Sequence, residues 1–175
     1  MNTFNFQIWI LIAATVTVLS AAVNDYRSRL IPNFITFAAM LTGLAMHGLH
    51  NGWNGLSYSL SGLAVGGGLL SVFYLMGGMG AGDVKLLAGV GALVGAERVF
   101  AVFVLTVIAG GVMAVGQIAI NQSLKNIFSR IKSFVVAFSY KNHFRVDDQI
   151  NGSAKNTLPY GVAIAIGTLT AFITQ

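Results

Sequence analysis

Long apolar runs separated by short polar stretches dominate the sequence. Six of these runs predict membrane-spanning helices, at residues 6–23, 32–49, 56–76, 83–96, 99–120 and 158–173. Most have the roughly 17–25 residues that a helix needs to cross the hydrocarbon core of a bilayer. The pattern therefore predicts an all-α, polytopic integral membrane protein, with residues 1–175 forming a single membrane-embedded domain.

The fourth run, from Asp83 to Ala96, is too short to cross a bilayer in the usual way. As a helix it would measure roughly 21 Å, whereas the hydrocarbon core is roughly 30 Å thick. Either this helix begins below the membrane surface, or its ends lie in a cavity lined by protein. Both arrangements place Asp83 in a recessed position that water can still reach.

The composition supports a membrane location. The 175 residues are 55% hydrophobic and 9% charged, with a mean hydropathy of +0.76, whereas soluble domains carry about 25% charged residues. Since the chain has no cysteine, it has no disulfide framework, thiol nucleophile or cysteine-type zinc site. The formal charge of +5 is better explained by cytoplasmic loops than by nucleic-acid binding.

The basic residues predict the orientation. Residues 1–24 contain no Lys or Arg, so the positive segment of a cleaved secretory signal is missing and we expect an uncleaved first span. With both termini outside, Arg98 is the only outer basic residue, which satisfies the positive-inside rule. The nine on the inner side are Arg27, Arg29, Lys85, Lys125, Arg130, Lys132, Lys141, Arg145 and Lys155.

The largest inner loop, residues 121–157, predicts a basic amphipathic helix. Its apolar residues recur at helical spacing, with three basic residues between them: Leu124, Lys125, Ile127, Phe128, Arg130, Ile131, Lys132, Phe134, Val135 and Phe138. Such a helix lies on the inner surface of the membrane. It is interpreted either as a linker on that surface or as a guide for substrate, and the sequence leaves both open.

Two of the five acidic residues lie where a charge is costly. Glu97, next to Arg98, and the Asp147–Asp148 pair are predicted to be solvated, whereas Asp25 and Asp83 end the first and fourth spans on the same inner side. An ionisable residue in or near a span indicates function by default. The alternatives are an interfacial ion pair of Asp25 with Arg27 or Arg29, and a helix N-cap at Asp83.

Two neighbouring carboxyl groups suit hydrolysis. They cannot easily both ionise, so one keeps a proton while the other acts as a base. Such a pair can activate a water and protonate an amide leaving group, as in aspartic proteases, without metal or cysteine. Gly77, Gly78, Gly80 and Gly82 precede Asp83 and would let an extended substrate backbone approach it closely.

Three motifs resemble a known family. Gly80-Ala81-Gly82-Asp83 matches the Gly-x-Gly-Asp signature of membrane aspartic proteases, and the wider GGMGAGDVKLLAGVGALVG resembles its form in bacterial prepilin peptidases. NDYRSRLIPN resembles the other half of that signature, an Asp at the end of the first span followed by a basic stretch and Ile-Pro-Asn. LPYGVAIAIG resembles the last-span motif of the small TadV/CpaA-type branch. The motifs occur in order across nearly the whole chain.

The resemblance implies that Asp25 and Asp83 are the catalytic aspartates of a prepilin leader peptidase. It implies cleavage of type IV, Flp-like prepilins at the cytoplasmic face of the bacterial inner membrane, with prepilin, lipid and the pilus-assembly machinery as partners and no cofactor, metal or nucleic acid. Larger members also N-methylate the new terminus and carry a four-cysteine zinc region; the short first loop without cysteine argues against both. The candidate substrate-binding residues are Gly80, Gly82, Lys85, Tyr160 and Gly161.

These candidates and the function have alternatives. Lys85 would otherwise face lipid headgroups, and Tyr160 and Gly161 would pack near the site. A proton-coupled transporter would use the same two carboxylates, although it predicts acids near the midplane and symmetric halves, neither of which is evident. A membrane scaffold for a secretion machine would tolerate the loss of both acids.

Overall fold

The described part of the chain is helical. A computed structural model describes residues 3–76, 78–121 and 159–174, and in these the helices are α1 (Thr3–Ser28), α2 (Asn33–Leu75), α3 (Ala81–Val94), α4 (Ala96–Asn121) and α5 (Tyr160–Ile173). The six predicted runs fall on these helices, with the second and third both in α2. The all-helical prediction is confirmed for the described residues. The amphipathic helix predicted within residues 121–157 lies outside them.

Helix α2 contains a sharp kink. Asn51 has φ −124° and ψ 15°, and Gly52 has φ 56° and ψ −133°, so neither has helical backbone angles. The positive φ of Gly52 suits a residue without a Cβ atom. The kink divides α2 into two arms, residues 33–50 and 53–75, which correspond to the second and third predicted runs.

Helix α3 packs against both arms of α2. A Cβ atom added to any of five glycines on these helices would come too close to the opposite helix. The neighbours are Ala39 with Gly89, Gly43 with Ala92, Gly62 with Gly91, and Gly66 with Leu87. The first arm therefore runs parallel to α3 and the second antiparallel, so the arms form a hairpin. Small residues permit such close approach of helices. Residues 86–95 are all buried.

The C-terminal end of α3 is covered by polar side chains from α2. The last carbonyls of a helix have no partner within it, and here three receive side-chain hydrogen bonds: His47 Nε2 to Leu93 O at 2.8 Å, Tyr58 Oη to Val94 O at 2.7 Å, and Ser59 Oγ to Ala92 O at 2.7 Å. Carbonyl oxygens only accept, so His47 carries its proton on Nε2. A short helix can end at membrane depth when protein satisfies its backbone in this way.

Substituting Ser59 tests this capping. Because Ser59→Ala leaves a buried carbonyl without its donor, we expect it to lower the free energy of unfolding in detergent by about 1 kcal/mol. The matched control is Ser61→Ala, since Ser61 lies on the same arm but is exposed. Equal effects of the two substitutions would contradict a stabilising role for the hydrogen bond to Ala92.

One face of α1 forms a buried stripe. The buried apolar residues follow each other at intervals of three or four: Phe6, Ile10, Ala14, Val18 and Ala21. Asp25 comes four residues after Ala21 and is also buried. It therefore continues the stripe that faces α2, α3 and α5 and does not point toward lipid.

Within the described part of the chain, three helices are long and apolar enough to cross a membrane, namely α1 from Phe4, α2, and the segment Ala96–Gly116 of α4. Helix α5 is a shorter apolar helix. These helices support the prediction of a membrane protein. The contacts divide the chain into two compact units, Met1–Gly110 with Pro159–Gln175, and Gly111–Leu158. Both aspartates and all of α5 belong to the first unit. Of the second unit, the structure describes residues 111–121 in α4.

Candidate functional site

Asp25 lies in the last turn of α1 and is only 6% exposed. The helix ends at Arg29, whose φ of 55° is left-handed and whose N–H donates to the Asp25 carbonyl at 2.9 Å. This is a common way to terminate a helix, although the residue in the left-handed position is usually glycine. Arg29 also interacts electrostatically with the Asp25 carboxylate.

The Asp25 carboxylate is hydrogen-bonded to the first turn of α5. The backbone N–H of Gly161 donates to Asp25 Oδ2 at 2.7 Å, and this hydrogen bond is buried. Since α5 begins after Pro159, Gly161 carries one of the N–H groups that have no partner within the helix. A Cβ atom on residue 161 would lie 2.9 Å from Oδ2, so the close approach requires glycine.

Asp83 lies in the first turn of α3 and is 8% exposed. Its Oδ2 accepts the N–H of Gly80 at 3.1 Å, while its own N–H donates to the Gly80 carbonyl at 3.2 Å. Gly80 is the N-cap of α3, so the N-cap position considered for Asp83 is wrong. Asp83 instead occupies the third helical position and reaches back to the cap, as the acidic residue of a capping box does.

The two carboxyl groups act on each other. Asp25 and Asp83 interact electrostatically, and so do Asp83 and Tyr160. Among the described residues these are the two buried acids, since Glu97 is exposed. Helices α1 and α3 therefore place their aspartates within electrostatic reach of each other, with Asp25 hydrogen-bonded to the first turn of α5. Like charges so placed favour a pair that shares one proton.

Lys85 interacts with α2 in the described part of the chain. Its Nζ donates to Asn33 Oδ1 at 2.9 Å and lies 5.8 Å from the centre of the Phe37 ring. These contacts involve an amide oxygen and an aromatic face, and both attract a cation. Lys85 thereby links the start of α3 to the start of α2.

The predicted substrate-binding glycines have different surroundings. Gly80 is exposed, and a Cβ atom there would lie 3.4 Å from Asp83 Oδ2. Gly82 packs against Ile31, since its Cβ would lie 3.2 Å from that side chain. Gly80 is therefore open next to the carboxylate, whereas Gly82 serves helix packing. Gly77 lies outside the described residues.

The first turn of α5 contains the remaining candidates. The Tyr160 ring lies against Gly110 of α4, where a Cβ atom would be 3.2 Å from the ring. Gly161 contacts Asp25, a role that sequence reasoning did not identify because it involves only a backbone N–H group. The sequence feature that could have indicated this contact is a glycine two residues after a proline, at the start of a predicted span. Asn33 was likewise not identified as the partner of Lys85.

The described residues contain no group of three His, Asp or Glu side chains that could hold a metal ion. The site therefore consists of two carboxyl groups, backbone N–H donors and a nearby tyrosine. This set can transfer protons to and from a bound water and a peptide group.

Comparison with known proteins gives one match. The model of the type IV leader peptidase family matches residues 10–115, which is more than half of the chain and includes both aspartates. No curated protein and no solved structure matches. Helix α5, which supplies the hydrogen bond to Asp25, lies beyond the matched residues. The chain belongs to the type IV leader peptidase family.

Proposed function

We propose that the protein is a membrane-embedded aspartic endopeptidase that removes the leader peptide of Flp-like type IV prepilins at the cytoplasmic face. The observation that carries this proposal is that Asp25 and Asp83, two buried carboxylates from different helices, interact electrostatically. Asp83 ends the Gly-x-Gly-Asp motif and Asp25 stands in NDYRSRLIPN, the two stretches that resemble the peptidase signature. Membership of the leader peptidase family supplies the reaction class.

The proposed reaction needs only the two carboxyl groups and water. The ionised aspartate removes a proton from a water held between the pair, and that water attacks the scissile carbonyl. The protonated aspartate supplies a proton to the leaving amide nitrogen, so the pair exchanges roles during the reaction. Burial favours this chemistry because charges interact more strongly where bulk water is excluded.

The proposed route for the substrate passes Gly80. Because this glycine is exposed and adjacent to Asp83 Oδ2, an extended peptide can approach the carboxylate without meeting a side chain. An extended strand can hydrogen-bond to exposed backbone as it does at a sheet edge. The leader junction would thus reach the pair in an extended conformation.

The proposed topology has six crossings, with the two arms of α2 counted separately. Both aspartates then lie at the inner ends of their helices, and Arg27, Arg29 and Lys85 share that side. The N- and C-termini are outside. Helix α3, about 21 Å long, begins below the inner surface, and its capped C-terminal end lies within the protein.

A cleavage assay tests the function. The purified protein in liposomes is incubated with a panel of Flp-type and longer type IV prepilins, and the products are identified by mass spectrometry. We expect a shortened Flp-type prepilin, with no methylation of its new N-terminus when S-adenosylmethionine is present. Failure of the folded protein to cleave any member of the panel would contradict the proposal, as would proton flux that depends on Asp83.

The same assay examines metal dependence. We expect cleavage to continue unchanged after treatment with EDTA or a zinc-selective chelator, because the proposed acid and base are both carboxyl groups. The control is a zinc peptidase treated identically, which must lose its activity. Loss of prepilin cleavage that zinc restores would show that the proposed mechanism is wrong.

A further inference from the structure

We propose that the first turn of α5 positions Asp25 and stabilises its ionised form, so that in the resting pair Asp25 carries the negative charge and Asp83 carries the proton. In catalysis Asp25 is then the base and Asp83 the proton donor. The catalytic roles of the two aspartates rest on the proposed function, whereas their protonation states do not. This assignment makes Gly161 a positioning residue that acts through its backbone N–H group.

The place of Asp25 in α1 disfavours a charge. Its carboxylate is in the last turn, near the negative end of the helix dipole, where anions are destabilised. It is also buried, with 6% of its surface exposed. An ionised Asp25 therefore needs compensation from outside α1.

Helix α5 provides this compensation. The Gly161 N–H group donates to Asp25 Oδ2 at 2.7 Å in a buried environment. The bond comes from the positive end of the α5 dipole, which is a favourable site for an anion. Arg29 adds a positive charge that acts on the same carboxylate. Hydrogen bonds to an ionised acceptor are shorter and stronger than those between neutral groups.

Asp83 has weaker support for a negative charge. Asp83 lies at the N-terminus of its own helix, so the dipoles by themselves favour a charge there; the assignment to Asp25 depends on the hydrogen bonds and on Arg29. The hydrogen bond that Asp83 accepts from Gly80 is longer, at 3.1 Å. Within residues 3–76, 78–121 and 159–174, Asp83 interacts with Asp25, Tyr160 and the Gly80 N–H group, and none of these is a cation. Lys85, the one basic residue of α3, donates its hydrogen bond to Asn33 Oδ1.

Two glycines of α5 provide a matched pair of substitutions. A Cβ atom on Gly161 would lie 2.9 Å from Asp25 Oδ2, whereas one on Gly167 would meet Thr106 of α4. Gly161→Ala therefore displaces the donor from the carboxylate. Gly167→Ala also disturbs the packing of α5, but against Thr106 and about two helical turns after Gly161.

The test is a carbon-13 NMR titration of the aspartate carboxyl carbons in detergent. The protein is labelled at these carbons, and the signals of Asp25 and Asp83 are assigned from the Asp25→Asn and Asp83→Asn variants. In the unsubstituted protein we expect Asp25 to lose its proton at a lower pH than Asp83. We expect Gly161→Ala to narrow this gap and Gly167→Ala to leave it unchanged.

Three results would overturn the assignment: titration of Asp83 before Asp25, no separation between them, or the same change in both glycine variants. The titration needs no substrate, so it remains decisive even if prepilin is not cleaved. If Gly161→Ala does not fold, the order of titration in the unsubstituted protein still decides. Where prepilin is cleaved, Gly161→Ala should lower kcat by about 100-fold and move the acidic limb of the kcat/KM profile to higher pH.

Discussion

Replacement of either aspartate, as Asp25→Asn or Asp83→Asn, is expected to reduce prepilin cleavage by at least about 10³-fold. Asparagine has the size of aspartate but cannot serve as a base or transfer a proton to the leaving group. Its side-chain oxygen still accepts a hydrogen bond, so the contacts with the Gly161 and Gly80 N–H groups are retained. The measurement is the rate of leader removal by equal amounts of folded, membrane-inserted protein.

Glu97→Gln is the matched control for these variants. It removes one carboxylate from an exposed position and should cleave at the unsubstituted rate. Thermal unfolding in detergent must show that both aspartate variants are folded. Retention of substantial cleavage by either folded variant would show that the proposed pair is wrong and would favour a scaffold role.

A large loss of stability is expected when Gly62 is replaced by valine. Gly62 lies against Gly91, and a Cβ atom on either glycine would meet the backbone carbonyl of the other. No rotamer relieves such contact, because the clash begins at Cβ. We expect Gly62→Val to lower the free energy of unfolding by about 3 kcal/mol or more, measured by denaturant titration in detergent.

The control for this substitution is Gly68→Val on the same arm of α2. No atom of the residues that the structure describes lies within 4 Å of the position of a Cβ atom on Gly68, and the residue is exposed. Gly68→Val should therefore leave stability nearly unchanged. Because α3 contains Asp83, Gly62→Val should also lower cleavage. Similar stabilities for the two variants would contradict the close packing of α2 on α3.

Apolar runs were sufficient to predict the helices, because burial in lipid requires long uninterrupted hydrophobic segments. The contacts of individual glycines are harder to predict. Gly62, Gly66 and Gly91 pack between helices, whereas among the described residues nothing lies within 4 Å of a Cβ atom on Gly68. A run of three adjacent glycines covers most of the helix circumference, so the sequence cannot tell which of them faces a neighbour.

The polar contacts within the fold were less accessible to prediction. His47, Tyr58 and Ser59 were not identified as caps of α3, since their acceptors are backbone carbonyls that any residue possesses. The fourth run did indicate that its helix is too short for an ordinary span. Its length thus signalled that protein surrounds its ends, without showing which side chains do so.

The site was predictable in part for a similar reason. Asp25 and Asp83 could be singled out because acids are rare in apolar sequence, and both prove to be buried. Gly161 was singled out by its motif, but its contact with Asp25 is made by a main-chain N–H group. The partner of Lys85, Asn33, depends on how α2 and α3 start relative to each other, which periodicity does not specify.

The hydrogen bond from Gly161 to Asp25 joins residues 136 positions apart, and this separation has a consequence for biosynthesis. The ribosome adds Asp25 early and Gly161 only after most of the chain has been made. During synthesis, the first aspartate therefore remains in the membrane without its donor from α5. The nascent chain acquires its complete site only when the last described helix has been inserted.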